Sequence, residues 1–190
     1  MAGNTTILII RHAEKPEPED DSPGLSPAGQ ARAQAYRAYF QNYVFDSQPI
    51  KLDYLFAAAD RHKSHRPRLT LEPLAQGLGL AVDSDYKYDD PEKLAAAILK
   101  KAEYDNRRIL ICWEHKKIPN LLKALGVDPA KLLPESNWPE NIFGWTLHIT
   151  YDNDGNLIQD RTVCSHQKLM YTDCSEETFS PRNKAARERS

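Results

Sequence analysis

Cysteine is scarce in this chain: three residues, Cys112, Cys164 and Cys174, an odd count with no CxxC pair. That excludes a zinc ribbon, argues against a disulfide framework, and leaves packing as the expected role of the thiols. Long apolar runs are missing too, and the opening Met1-Ala2-Gly3-Asn4-Thr5-Thr6 carries no basic segment. Neither a membrane span nor a secretory signal is therefore expected, and the expected setting is cytoplasmic, without a membrane partner. Nor is there a charge excess. A formal net charge of −2 gives no general pull towards nucleic acid, so none is expected as a partner, and any anion must be bound by a local cluster. No repeat of fixed period is present.

What is present suffices for one domain with a substantial core: 190 residues, 41% of them hydrophobic and 27% charged. Residues 1–174 are read as that domain. From Ser175 onward the chain is polar, with Arg182, Lys184, Arg187 and Arg189 among few apolar residues, and 175–190 are expected to be a mobile tail.

The run Ile7-Leu8-Ile9-Ile10 has no polar alternation, the mark of a strand buried on both faces of a parallel sheet. An acidic, proline-broken loop over 16–24 follows. Ser26-Pro27 then supplies a cap and a first-turn proline for a helix whose buried face carries Tyr36, Phe40, Tyr43 and Val44. A second strand is expected over Leu52–Ala59, then a helix through Leu71, Leu74, Ala75 and Leu78 that Pro73 should kink or start. A short strand near Gly79–Val82 precedes a third helix, capped by Asp90-Pro91 and buried through Leu94, Ile98 and Ala102. Arg108–Trp113 is again continuous and apolar, and a fourth helix follows from Ile118-Pro119 to Gly126. Trp145, Leu147, Ile149 and Tyr151 alternate with polar residues, and Asp154-Gly155 offers a turn to a return strand over Leu157–Val163. The expected fold is α/β: three layers, α/β/α, with a mostly parallel central sheet and an antiparallel C-terminal edge hairpin.

Three of these strands end in polar bursts: Arg11-His12-Ala13-Glu14, Asp60 to Arg68, and Glu114-His115-Lys116-Lys117. In an open parallel sheet such ends share one rim, where ligands bind. Two or more guanidinium forks with imidazoles suit a tetrahedral dianion, because a fork gives two parallel charge-assisted bonds to phosphate oxygens. A neutral imidazole can also attack phosphorus, provided its other nitrogen is held by an acceptor such as a backbone carbonyl. His62 and His65, three apart, invite a zinc reading, but the basic neighbours Arg61, Lys63, Arg66 and Arg68 disfavour a cation.

Arg11-His12-Ala13-Glu14 after the first strand, Leu25 to Gly29 at the head of the first helix, Arg66-Pro67-Arg68-Leu69-Thr70 opening the second, and His115 after a later strand occur in an ordered set. In this the chain resembles the histidine phosphatase superfamily, which includes phosphoglycerate mutases. The resemblance implies that His12 is the phosphorylated nucleophile and that Arg11, Arg66 and His115 complete the phosphate pocket, with no metal or other cofactor. Ala13 and Lys116 stand where many members have glycine, and neither change removes a functional group. The resemblance also implies a carboxyl proton donor whose position varies between branches. Glu114 is placed first, Glu14 is the alternative, and Asp89 or Asp90 are further candidates. Arg61, Lys63 and Arg68 are candidates for binding the rest of the substrate, a small phosphorylated molecule or a phosphoprotein. The activity implied is phosphomonoester hydrolysis; a phosphomutase and a non-catalytic phospholigand-binding module are the alternatives.

Overall fold

The structure is a computed structural model that describes residues 3–175, the side chains of 174 and 175 excepted. The first apolar run forms β1 (Thr6–Arg11), buried along its whole length. On one side β1 pairs in parallel with β6 (Arg108–Trp113), which pairs in parallel with β4 (Tyr54–Ala57), and β4 with the short β5 (Val82–Asp83). On its other side lies β7 (Trp145–Thr150), antiparallel, followed by antiparallel β8 (Val163–His166). The sheet order is β5-β4-β6-β1-β7-β8, as expected: mostly parallel, with an antiparallel pair at one edge. A small ribbon of β2 (Val44–Phe45) and β3 (Gln48–Pro49) stands apart from it.

Four helices cover the two faces: α1 (Pro27–Gln41), α2 (Arg66–Leu78), α3 (Pro91–Lys100) and α4 (Ile118–Ala124). The unbroken apolar run of β1 serves both layers. Leu8 and Ile10 pack with Tyr36 and Phe40 of α1 and Leu71 and Leu74 of α2. Ile7 and Ile9 pack with Leu94 and Ile98 of α3 and Leu121 and Leu122 of α4. Alternate side chains of a strand point to opposite faces, so a strand between two helical layers needs apolar residues at every position.

Several local expectations change. Helix α1 stops at Gln41, so the helical spacing does not reach Val44, which sits exposed in β2. Ala102 likewise lies beyond α3 and is exposed. Helix α2 runs through Pro73 without a break, since Leu71 and Leu74 on either side are fully buried and packing outweighs the lost hydrogen bond. Asp90 precedes α3 but caps nothing: its carboxylate takes Lys93 Nζ at 2.6 Å. After the turn at Gly155 (φ 79°), Leu157 makes an isolated bridge to Tyr151. A tight turn of helix over Gln159–Arg161 intervenes, and the return strand forms later, as β8. The polar members of the β7 alternation, Thr146, His148 and Thr150, are buried because β7 lies inside the sheet edge. The expected tail lies, from residue 176 onward, outside the described residues, as does any packing role of the Cys174 side chain. Cys112 is buried and Cys164 half-buried. No helix of the described residues is long and apolar enough to cross a membrane.

Candidate active site

Because β1 and β6 run in parallel with Arg11 level with Trp113, His12 and Glu114-His115 leave the sheet side by side. The His12 backbone N–H donates to the Trp113 carbonyl at 3.0 Å, and Ala58, just past β4, donates to the Cys112 carbonyl at 3.2 Å. Three strand ends therefore meet at one rim. The His12 ring is 5% exposed, and its Nδ1 lies 2.7 Å from the Ala13 carbonyl oxygen. A carbonyl can only accept, so Nδ1 carries the hydrogen and Nε2 the lone pair. Burial, helped by the Arg11 and Arg66 cations, lowers the pKa of His12 to about 3, against the opposing pull of the Ala13 carbonyl and Glu114. The ring is neutral at ordinary pH, as a nucleophile requires.

Arg11 is buried beside it. Its Nη1 donates to the carbonyls of Pro139, Glu140 and Ile142, the last at 3.0 Å, and its guanidinium rests 3.9 Å from the centre of the Phe143 ring. Arg66 is the first residue of α2. Burial lowers the pKa of both arginines, that of Arg11 to about 10, which leaves Arg11 charged at neutral pH. The Nε atoms of Arg11 and of Arg66 are both buried and have no hydrogen-bond partner among the described residues. Orphaned buried donors are rare and costly, and charged ones more so. Two of them in the electrostatic reach of one neutral imidazole call for an oxyanion.

His115 is 8% exposed, with Nδ1 3.0 Å from Glu114 Oε1, a close approach without hydrogen-bond alignment. The other Glu114 oxygen, Oε2, accepts from the Tyr88 hydroxyl and from the Lys116 backbone N–H, both at 3.0 Å. Burial alone would raise the pKa of Glu114, but His115, then Tyr88 and His12, outweigh it and bring it down to about 2.

The scaffold under His12 accounts for the other motifs. Thr70 Oγ1 accepts from the Ala13 N–H at 2.9 Å and donates to the Arg66 carbonyl at 2.7 Å, tying the segment after His12 to the first turn of α2. Ser26 caps α1 by accepting from the Gly29 N–H at 3.0 Å, while its own N–H donates to the Glu14 carbonyl at 3.0 Å. A Cβ on Gly29 would stand 2.4 Å from that carbonyl oxygen, so only glycine lets the helix approach this closely. Glu14 takes two bonds from Arg32 Nε, at 2.9 and 3.1 Å, and one from Nη2 at 2.8 Å. The same fully buried guanidinium donates to both Asp173 oxygens at 2.9 and 2.7 Å.

No protein-family model matches the sequence, and no curated protein matches it. Solved structures do match. The protein histidine phosphatase SixA complexed with tungstate aligns with a TM-score of 0.53 at 16% identity, over 80% of this chain and 92% of that one. Phosphoglycerate mutase from Plasmodium falciparum aligns with a TM-score of 0.55 at 12% identity, over 94% of this chain and 96% of that one. The chain has the histidine phosphatase fold.

Within that fold the rim brings together Arg11, His12, Arg66, Glu114 and His115. The two carboxyl groups expected as proton donors are otherwise employed. Glu114 is held as a carboxylate by Tyr88, Lys116 and His115, the opposite of the neutral acid that donation requires. Glu14 is locked on Arg32. Asp89 pairs with Lys117 at 2.9 Å and Asp90 with Lys93 at 2.6 Å. Of the basic residues expected to bind substrate, Arg68 is also committed, to Asp60 at 2.7 Å and to Glu72 one turn along α2. Arg61 is exposed and lies 3.5 Å over the centre of the Tyr88 ring, and Lys63 is exposed. The sequence reading placed Thr70 in a motif without a role, and missed Tyr88, Arg32, Asp173 and the carbonyls of Pro139, Glu140 and Ile142. The available clue to the last group was Trp138-Pro139 ahead of Ile142-Phe143, apolar bulk that would not be left in water.

Proposed function

We propose that this protein is a phosphatase that hydrolyses phosphomonoesters through a phosphohistidine on His12, without a metal. The observation that carries the reading is the pair of buried, unpartnered Nε–H groups on Arg11 and Arg66 around a histidine whose Nε2 lone pair is free. The lone pair attacks phosphorus, the bond to the leaving oxygen breaks, and that oxygen departs with the electron pair and takes a proton from water. Phosphorylated at Nε2 and still protonated at Nδ1, the ring is cationic, and the Ala13 carbonyl stabilises it. Water then attacks phosphorus, the P–N bond breaks, and His12 returns to its starting tautomer. Arg11, Arg66 and His115 bear the charge spread over the phosphoryl oxygens in both steps. Lys63 is left to meet the rest of the substrate, and Arg61, whose guanidinium face lies on Tyr88, can still offer its N–H edge to it.

Turnover of para-nitrophenyl phosphate in chelator, by the wild type and by His12→Ala, tests this. A loss of more than about 1,000-fold is expected, with acid-labile radiolabel from phosphate on the wild type alone. Retained turnover in His12→Ala would end the proposal. The similarity to a protein histidine phosphatase places phosphohistidine peptides in the substrate panel beside sugar phosphates and nucleotides. Its tungstate makes that oxyanion a suitable inhibitor to test here.

A further inference from the structure

We propose that Glu114 is a positioning residue that orients His115 towards the phosphoryl group, with Tyr88 as the clamp that fixes Glu114. The inference rests on the phosphatase reading and adds to it two residues and a division of labour. With Nδ1 of His115 facing Glu114 Oε1 at 3.0 Å, the nitrogen left to meet a phosphoryl oxygen is Nε2. A carboxylate held against Nδ1 fixes which edge of the ring faces the phosphoryl group.

Three contacts make this carboxylate a fixed charge. The Tyr88 hydroxyl and the Lys116 N–H both donate to Oε2, which turns Oε1 towards His115. Tyr88 is itself held at three points: its hydroxyl by Glu114, its carbonyl by the Trp113 indole N–H at 3.2 Å, and its ring face by the Arg61 guanidinium at 3.5 Å. Its loop is tied to the end of β4 by the Ala59 N–H, which donates to the Tyr86 carbonyl at 2.9 Å. The arrangement explains why the side chain before His115 is acidic and yet sits only half-buried at an anion site: its charge is spent on His115.

The test is a double-mutant cycle of Glu114→Gln against His115→Asn, read as kcat/KM for para-nitrophenyl phosphate and as calorimetric binding of inorganic phosphate, which needs no turnover. Glu114→Gln should lower both by about 10- to 100-fold when His115 is present, and by less than about twofold in the His115→Asn background. Tyr88→Phe removes one oxygen atom and keeps the ring under Arg61, so it reads the clamp even where Glu114→Gln costs stability. It should lower both by about 3- to 10-fold, again only when His115 is present. Equal losses in the two backgrounds would overturn the proposal, because Glu114 would then act independently of His115. So would a Glu114→Gln protein with unchanged phosphate affinity and kcat/KM. Failure of the phosphatase reading looks different: no turnover and no label on wild-type His12, with the phosphate-binding cycle still measurable.

Discussion

Replacing Arg32 with methionine removes a buried cation shared by two carboxylates, and the structure sets the size of the effect. The Arg32 and Asp173 side chains are each 1% exposed and that of Glu14 is 18% exposed. Without the guanidinium, Glu14 can turn towards water. Asp173 cannot, and it keeps only the backbone N–H groups of Leu169 and Met170, at 3.0 Å each. Breaking a buried pair by removing one partner costs about 3–5 kcal/mol, because the remaining charge stays desolvated. For a domain of this size that is a fall in melting temperature of about 6–20 °C. Urea denaturation and thermal melting at neutral pH measure it. The pH dependence gives an independent check. Burial pushes the Asp173 carboxyl up, but the hydrogen bonds from Arg32 outweigh it and hold its pKa below the ordinary value. Its stabilising contribution is therefore complete above about pH 4 and is lost as the pH falls through the lower, folded value. In Arg32→Met that hold is gone, Asp173 takes up its proton at higher pH, and the deficit relative to wild type should shrink on acidification. A loss under about 1 kcal/mol at neutral pH, or a deficit that stays constant into acid, refutes the reasoning.

Further outcomes follow from the same contacts. Gly29→Ala should cost about 1–3 kcal/mol and lower kcat/KM, since the new methyl group meets the Glu14 carbonyl and must push α1 off the nucleophile segment; chemical denaturation beside kinetics reads both. Thr70→Val leaves the buried Ala13 N–H without its acceptor and should cost about 1–3 kcal/mol, whereas Thr70→Ser should behave as wild type in melting and in turnover. Ser26→Ala should cost about 1 kcal/mol through the lost cap, with kcat/KM unchanged. The His12 ring should stay neutral in an NMR titration down to about pH 4; titration near the ordinary 6.5 would contradict its burial among cations. With a folded pKa below the unfolded one, His12 destabilises the fold progressively as the pH falls from about 6.5 towards about 3, so His12→Gln should narrow the acid sensitivity seen in urea melts.

The parts of the fold that were legible in the sequence are those with local signatures. A strand buried on both faces shows as an unbroken apolar run, and a rim site shows as polar bursts where such runs end, within which the family resemblance singled out Arg11, His12, Arg66 and His115. Periodicity misled where it was carried past a helix end, at Val44 and Ala102. Composition could not separate Arg66 from Arg68. Two residues apart on a helix they face different ways, so one has a free buried nitrogen while the other is paired with Asp60 and Glu72. Nor could it show that Glu14 and Glu114 are held ionised, because the groups that hold them, Arg32 on another element and Tyr88 in a distant loop, are neighbours only in the folded chain.

The grip on Arg11 also has a bearing on when the site can exist. During synthesis from the N-terminus, His12 and Arg66 emerge early, but β1 lacks its neighbours until residues 108–113 and 145–150 have been made. The carbonyls that aim Arg11 arrive only with Pro139 to Ile142, and the Asp173 carboxylate on Arg32 later still. A nascent chain thus carries Arg11, His12 and Arg66 unanchored until these later segments emerge, beside an apolar central strand with two open edges, the kind of species that chaperones shield. On the proposed function, phosphate binding becomes a late event of folding, and its onset can serve as a clock for the completion of folding.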